Sequence, residues 1–326
     1  MASPRKSRLF AAAKLLLGIT LMIAVVRWLS PDLESLRARA SLDLGALAIA
    51  LGCTLLASIV TSARWKIMVE AMGGTHLPYR VYFHGFVLTK VIGQFTSALA
   101  MDLVGRGLAL RSAGSERGLG HAMTQAIVER LFDVLLPAVL VLWALTIHNL
   151  DPSPGTVAIS FAGLCLLFAG LAVILLWPLA RTGLRLYLAI ASLRGHEIPP
   201  DTRAELLNTP ISPKLAAQVG VLSVLRYVAV LGQFWAVAAA IGIDLSFRTI
   251  ASATPLGQLA GILAITPGGL GVQEAGWAGA FRWLGVLDDP AIGLFVLSQR
   301  VLIFAFFALF TLLSWLWLRQ LRRRPS

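Results

Sequence analysis

Charge is scarce in this chain of 326 residues. Asp, Glu, Lys and Arg make up 13% of it, about half of the roughly 25% of a soluble domain. With 57% hydrophobic residues and a mean hydropathy of +0.79, that scarcity excludes a soluble enzyme or a disordered regulator. Cysteine is nearly absent too: Cys53 and Cys165 lie in apolar runs, without a CxxC spacing or a nearby histidine. They read as small core residues and say nothing of redox compartment. Of the five lysines only Lys6 precedes a Ser or Thr, and no glycine loop precedes it, so a Walker A site is excluded. His76, His84, His121, His148 and His196 are scattered without metal-ligand spacing. The acidic pattern of CDP-alcohol phosphotransferases is missing as well. The expectation is a chain with no catalytic motif, no metal and no cofactor, and hence not an enzyme.

What is present is apolar length. A bilayer-spanning helix needs about 20 apolar residues, and such runs occur at 9–29, 42–63, 119–147, 156–177, 215–242 and 290–318. The first follows Arg5, Lys6 and Arg8; Ala38-Arg39-Ala40 resembles a signal-peptidase site, but the run exceeds a signal core and reads as a retained helix. Two more stretches, 81–110 and 250–285, are apolar but broken by Gly, Pro and charge. Such segments fit re-entrant helical pairs better than continuous spans. Net charge is +12, from 28 basic and 16 acidic residues. The bases gather at the ends of apolar runs, which is the positive-inside bias and contact with anionic lipid rather than nucleic-acid binding.

Charge placement gives a topology. The N-terminal bases, Arg64, Lys66 and Arg80, then Arg106, Arg111 and Arg117, and the tail at Arg319–Arg324 read as inside; Asn149–Gly155, without a base, reads as outside. Segment 181–214 mixes Arg185, Arg194 and Arg203 with leucines and reads as a cytoplasmic amphipathic connection or a linker. The fold class expected is an all-α integral membrane protein, one polytopic domain over 1–326 with about six full spans, two re-entrant pairs and both termini cytoplasmic. Residues 42–147 form a first repeat and 215–318 a second, inverted one. Gly93-Gln94 matches Gly257-Gln258, Glu129-Arg130 matches Gln299-Arg300, and Arg64-Trp65 matches Arg226-Tyr227, at similar offsets. Interrupted segments at corresponding positions of two halves point to a transporter binding site.

Charges inside a membrane cost about 2.5–3.5 kcal/mol each on insertion scales, so each is a candidate functional residue. Those in mid-segment are Asp102, Arg106, Glu129, Arg130, Asp133, Arg226, Glu274 and Arg300. Arg130 and Asp133 could pair on one helix face, as could Asp102 and Arg106. Such pairs either neutralise each other and pin the bundle, or line a groove where arginine forks hold a lipid phosphate. The break at Thr266-Pro267-Gly268-Gly269, with Gly271 following, would start a half-helix whose free N–H groups favour an anion, balanced by Glu274. The same glycines could simply permit a tight bend. Asp32 and Glu34 could serve a membrane transferase with a polyprenyl-phosphate donor, or be an ordinary solvated pair.

The run Ile265-Thr266-Pro267-Gly268-Gly269-Leu270-Gly271-Val272-Gln273-Glu274-Ala275 resembles the TPGGLGVRE signature of the lysylphosphatidylglycerol synthase transmembrane region, the flippase-like domain family. Gly93-Gln94-Phe95 and Glu129-Arg130-Leu131 sit where that family has its GQF and ER landmarks, and the likeness covers essentially the whole chain. Relatives carry Leu-Pro and then Gly-Gly-Asp after GQF; here Met101 and Gly105-Arg106-Gly107 stand there, with Asp102 as a candidate for the absent carboxylate. Full-length enzymes of the family add a soluble aminoacyl-transfer domain, whereas these 326 residues end shortly after Arg319. The resemblance therefore implies a stand-alone, cell-membrane domain that moves a polar-headed lipid between leaflets. Its expected partners are membrane lipids, an anionic phospholipid or a polyprenyl-phosphate lipid, with a lipid-modifying enzyme or a second copy of the chain as further candidates. The lipid headgroup would meet Arg130, Arg300, Arg226, Glu129, Glu274, Thr266, Gly268, Gly269, Gly271, Asp102 and Arg106.

Overall fold

The computed structural model describes residues 42–71, 76–96, 101–115, 119–150, 152–193, 212–263 and 266–322, with a few positions between 16 and 27. The expected first span at 9–29, Asp32 and Glu34, and the middle of the 181–214 connection lie outside the described residues. Every regular element among those described is helical: α1 (Leu44–Ala71), α2 (Tyr79–Phe95), a π turn (Met101–Gly105), α3 (Arg106–Ser112), α4 (Leu119–Leu150), α5 (Pro154–Leu193), α6 (Pro213–Ala240), α7 (Phe247–Leu263), a 3₁₀ turn (Pro267–Gly269), α8 (Val272–Leu284) and α9 (Asp289–Arg322).

Five stretches among the described residues are long and apolar enough to cross a membrane: Leu44–Ala71, Val128–Leu150, Pro154–Leu175, Pro213–Ala240 and Asp289–Arg319. They coincide with five of the six uninterrupted runs. Their outward faces carry large bare apolar side chains, such as Ile159, Leu166 and Ile174 at 70–75% exposure, as a helix against lipid chains requires. Polar groups in α1 are hidden locally: the hydroxyls of Thr54, Ser58, Thr61 and Ser62 each donate to the carbonyl four residues back. Starts are set by short side chains. Ser212 accepts from the Leu215 N–H at 3.1 Å ahead of Pro213, and Asp43 accepts from Gly45 at 2.7 Å.

The two interrupted stretches both break into two helices, α2 with α3 and α7 with α8. The second hairpin closes tightly because small residues face large ones. A Cβ on Gly257 would lie 2.4 Å from the Trp277 ring, and one on Gly276 would lie 2.3 Å from the Ala260 Cβ. Trp277 in turn packs with Phe234, Phe281 and Phe295 in the main core.

Two expectations change here. α1 does not stop at residue 63 but continues to Ala71, and Arg64 within it is fully buried. Arg106 is buried too, at 4% exposure. Neither marks a water-facing membrane boundary. Likewise α5 runs unbroken to Leu193, so the first part of the 181–214 connection continues a long helix rather than forming a separate one.

Candidate functional site

Charged side chains from α1, α2, the π turn, α3, α4 and α6 converge on one buried cluster. Glu129 and Asp133, four residues apart, share a face of α4. Arg64 lies between them, its Nη2 donating to Glu129 Oε1 at 2.6 Å and to Asp133 Oδ1 at 3.0 Å, while its Nη1 donates to Ser223 Oγ at 2.7 Å. Arg106 meets the other Glu129 oxygen through Nη1, and its Nη2 lies 3.2 Å from Asp102, one helical turn earlier as expected. Asp102 also receives Lys90 at 3.2 Å and Arg130. Arg226 donates to Asp133 at 3.1 Å. The expected Arg130–Asp133 pair does not form, because Asp133 is held by Arg64 and Arg226 and Arg130 turns to Asp102.

A second, smaller cluster joins the breaks of the two interrupted stretches. Arg300 on α9 places Nε and Nη2 at 2.7 and 2.5 Å from Glu274 Oε1. Its Nη1 donates to Gln94 Oε1 at 2.9 Å and to the Gly268 carbonyl at 2.8 Å. The Gly268 N–H donates to the Thr96 carbonyl at 3.0 Å. Gly268 has φ +58°, and a Cβ there would lie 2.7 Å from the Gln94 carbonyl oxygen; only glycine fits both conditions. The N–H groups of the turn ahead of α8 are taken up within the chain. Gly269 and Leu270 donate to Thr266 and Pro267, and Gly271 donates to Glu274 Oε2 at 2.7 Å. Thr266 spends its hydroxyl on the Leu270 carbonyl. The turn is closed on itself, with Glu274 as its own anion.

Between the two clusters lies a cleft of about 210 Å³, below the roughly 300–1,000 Å³ of ordinary small-molecule pockets. Of the sequence-derived residues, Asp102, Arg130, Arg226, Gly268 and Arg300 line it. Glu129, Arg106, Glu274, Thr266, Gly269 and Gly271 stand behind or beside its wall. Arg130, Arg226 and Lys90 keep 18%, 20% and 25% of their side chains accessible, whereas Arg64 keeps none; the first three can meet a ligand and Arg64 cannot. Lys90 and Arg64 complete the constellation beyond the mid-segment charges read from sequence, Asp133 among them. Lys90 is one charge within the interrupted stretch 81–110, and Arg64 reads in sequence as an end-of-helix charge.

The charge count is unequal. Arg64, Arg106, Arg130, Arg226, Arg300 and Lys90 are held by four carboxylates, Asp102, Glu129, Asp133 and Glu274. The arginines alone exceed the carboxylates by one, and Lys90 adds a further basic group. Long apolar helices around a buried, cation-rich cleft define a multi-pass membrane protein with an internal polar site. Residues 13–311 match the family described as the lysylphosphatidylglycerol synthase TM region, and the chain belongs to that family. It is similar to a protein described as a UPF0104 membrane protein from Methanothermobacter thermautotrophicus, at 26% identity over 306 residues, 88% of this chain and 87% of the relative. Both findings agree with a membrane, lipid-related role.

Proposed function

We propose that this protein moves a lipid with a phosphate-bearing headgroup between the leaflets of the cell membrane, the phosphate meeting Arg130, Arg226 and Lys90 in the cleft. The carrying observation is the excess of basic groups over carboxylates in a cavity walled by membrane helices. A buried unpaired cation is costly, and an anion entering the cleft supplies the absent charge. Arginine forks suit a phosphate because they donate two parallel bonds. The cleft is sized for a headgroup, with the acyl chains left in lipid. No step on this reading requires chemistry, so the protein acts as a translocator rather than an enzyme. Its partners are anionic phospholipid or polyprenyl-phosphate lipid.

The inverted repeat with re-entrant pairs, entered from inside at 81–110 and from outside at 250–285, belongs to the same proposal. In its support, α6 starts 169 residues after α1 and both span 28; α7 starts 168 after α2 and both span 17. Glu129-Arg130 and Gln299-Arg300 keep a similar spacing of 170 residues, while the other two landmark pairs, at 162 and 164, drift from it. The contact between Gly268 and Thr96 is where two hairpins from opposite faces would meet, near mid-membrane.

The test is translocation of fluorescent short-chain phosphatidylglycerol in proteoliposomes containing only this protein, read by reduction of outer-leaflet label. Transport above protein-free vesicles, lost in Arg130→Met and Arg226→Met but retained by a control such as Gly279→Ala, supports the reading. Wild-type rates equal to those of empty vesicles overturn it.

A further inference from the structure

The wall of the cleft facing the basic cluster has a distinct composition. The chain holds eight glutamines, and five of them, Gln94, Gln233, Gln258, Gln273 and Gln299, line this one cavity. Gln94 is occupied by Arg300, and Gln299 donates to the Val296 carbonyl at 3.3 Å. Gln233, Gln258 and Gln273 make no hydrogen bond to protein among the described residues. Gln233 is nevertheless 95% buried, with 5% exposure. A buried amide carries two donors and two acceptor sites, and leaving them unpaired is costly. Gln233 and the half-buried Gln258 and Gln273 give one small cavity three amides, matched by a ligand that both donates and accepts.

Acidic groups are placed differently. Asp102 is the single carboxylate on the described lining, and Lys90, Arg106 and Arg130 already hold it. Glu129, Asp133 and Glu274 stand outside the lining and are paired with arginines. The Phe86 ring on the lining is faced by Lys90 at 5.4 Å and Arg106 at 5.2 Å, so it offers no empty cation site. A headgroup amine entering here finds basic neighbours and no free carboxylate. A hydroxyl finds amides able to satisfy it in either direction.

We infer that the cleft selects a lipid whose phosphate is followed by a neutral, hydroxyl-rich group, a glycerol or a sugar, and rejects lipids ending in an amine. The inference rests on the translocation reading and adds the chemistry beyond the phosphate. Arg130, Arg226 and Lys90 take the phosphate; Gln233, Gln258 and Gln273 take the polyol.

The experiment compares fluorescent phosphatidylglycerol, phosphatidylinositol, phosphatidic acid, phosphatidylethanolamine and lysyl-phosphatidylglycerol in the same proteoliposomes. Phosphatidylglycerol and phosphatidylinositol are expected to move at least about ten-fold faster than the two amine lipids. Gln233→Leu and Gln258→Leu, near in volume, should each slow the polyol lipids about five-fold while leaving phosphatidic acid unchanged, which a folding defect would not do. Equal rates for all five lipids, or fastest movement of lysyl-phosphatidylglycerol, would overturn the headgroup inference while the phosphate reading stands. Movement of none of them above empty vesicles overturns both.

Discussion

Arg64 and Arg130 sit in one charge cluster, yet their removal should fail in opposite ways. Arg64→Met strips a partner from both Glu129 and Asp133 and leaves the Ser223 hydroxyl without its donor. Breaking a buried ion pair costs about 3–5 kcal/mol. Because Glu129 keeps Arg106 and Asp133 keeps Arg226, the loss should fall at the low end, about 3 kcal/mol. Arg130→Met leaves Asp102 with Lys90 and Arg106, and its cost should stay near the about 1 kcal/mol of an ordinary substitution. Its effect on a bound phosphate should be larger. A charge-assisted contact is worth about 1.5–3 kcal/mol, a 10- to 150-fold change in affinity. Arg130→Lys keeps charge without the fork and should lie between wild type and Arg130→Met. Thermal unfolding in detergent, followed beside translocation of fluorescent phosphatidylglycerol, separates the two effects. If Arg130→Met melts as early as Arg64→Met, or if Arg130→Met with Asp102→Asn transports at the full rate, Arg130 is a structural partner and the phosphate assignment fails.

Gly268→Ala should destabilise by about 1–3 kcal/mol, since its positive φ and the Gln94 carbonyl at 2.7 Å both oppose a Cβ; Gly279→Ala, with nothing within 4 Å, should be neutral or better, and equal melting of the two variants would contradict the close approach of the hairpins. Gly257→Ala should push the Trp277 ring out of its seat at about 1–3 kcal/mol, seen as lowered melting with a shifted tryptophan emission; unchanged emission and stability would disprove the α7–α8 packing. With Cys53 and Cys165 replaced, Ser153→Cys should react with an impermeant maleimide in intact cells while Ser3→Cys and Ser326→Cys should not. Outside labelling of either terminal position would remove the proposed orientation.

The apolar skeleton was legible because lipid leaves one option for a backbone: hydrogen bonds closed within helices, over stretches of about 20 residues. Five described spans therefore appear where uninterrupted runs occur; Gly with charge marks the first interrupted stretch and Gly with Pro the second. Partner choice was not legible. From spacing alone Asp133 belongs to Arg130, but Arg64 lies 69 positions away in sequence and 3.0 Å away in space. The charge rule misread Arg64 for the same reason: a basic residue near the end of an apolar run looks like an interface charge unless the helix continues past it. Gln94, Gln258 and Gln299 stand out in sequence only as repeat landmarks, and their shared wall is not legible because amides carry no charge and recur at no fixed spacing. Only the fold brings residues from α2, α6, α7, α8 and α9 onto one cavity wall.

The arginines of the two Glu/Gln-Arg landmarks show how similar sequence positions acquire different duties. Arg300 donates from Nε to Glu274 and from Nη1 to Gln94 and the Gly268 carbonyl, all of which belong to the hairpin breaks. Its Nε and Nη1 hold the meeting point of the hairpins together, while Nη2 lies beside Glu274 without a hydrogen bond. Arg130 shares a single carboxylate with two other cations, so on the proposed reading its hold on Asp102 is the one an incoming phosphate would displace at least cost. Asp102 then keeps Lys90 and Arg106, and no buried carboxylate is stranded. The same accounting separates Arg226 from Arg64: Arg226 can leave Asp133 to Arg64, whereas Arg64, without solvent contact and bonded to three groups at once, can leave nothing. On the proposed reading, shared carboxylates would let Arg130 and Arg226 exchange partners while Arg64 and Arg106 keep the helices in place.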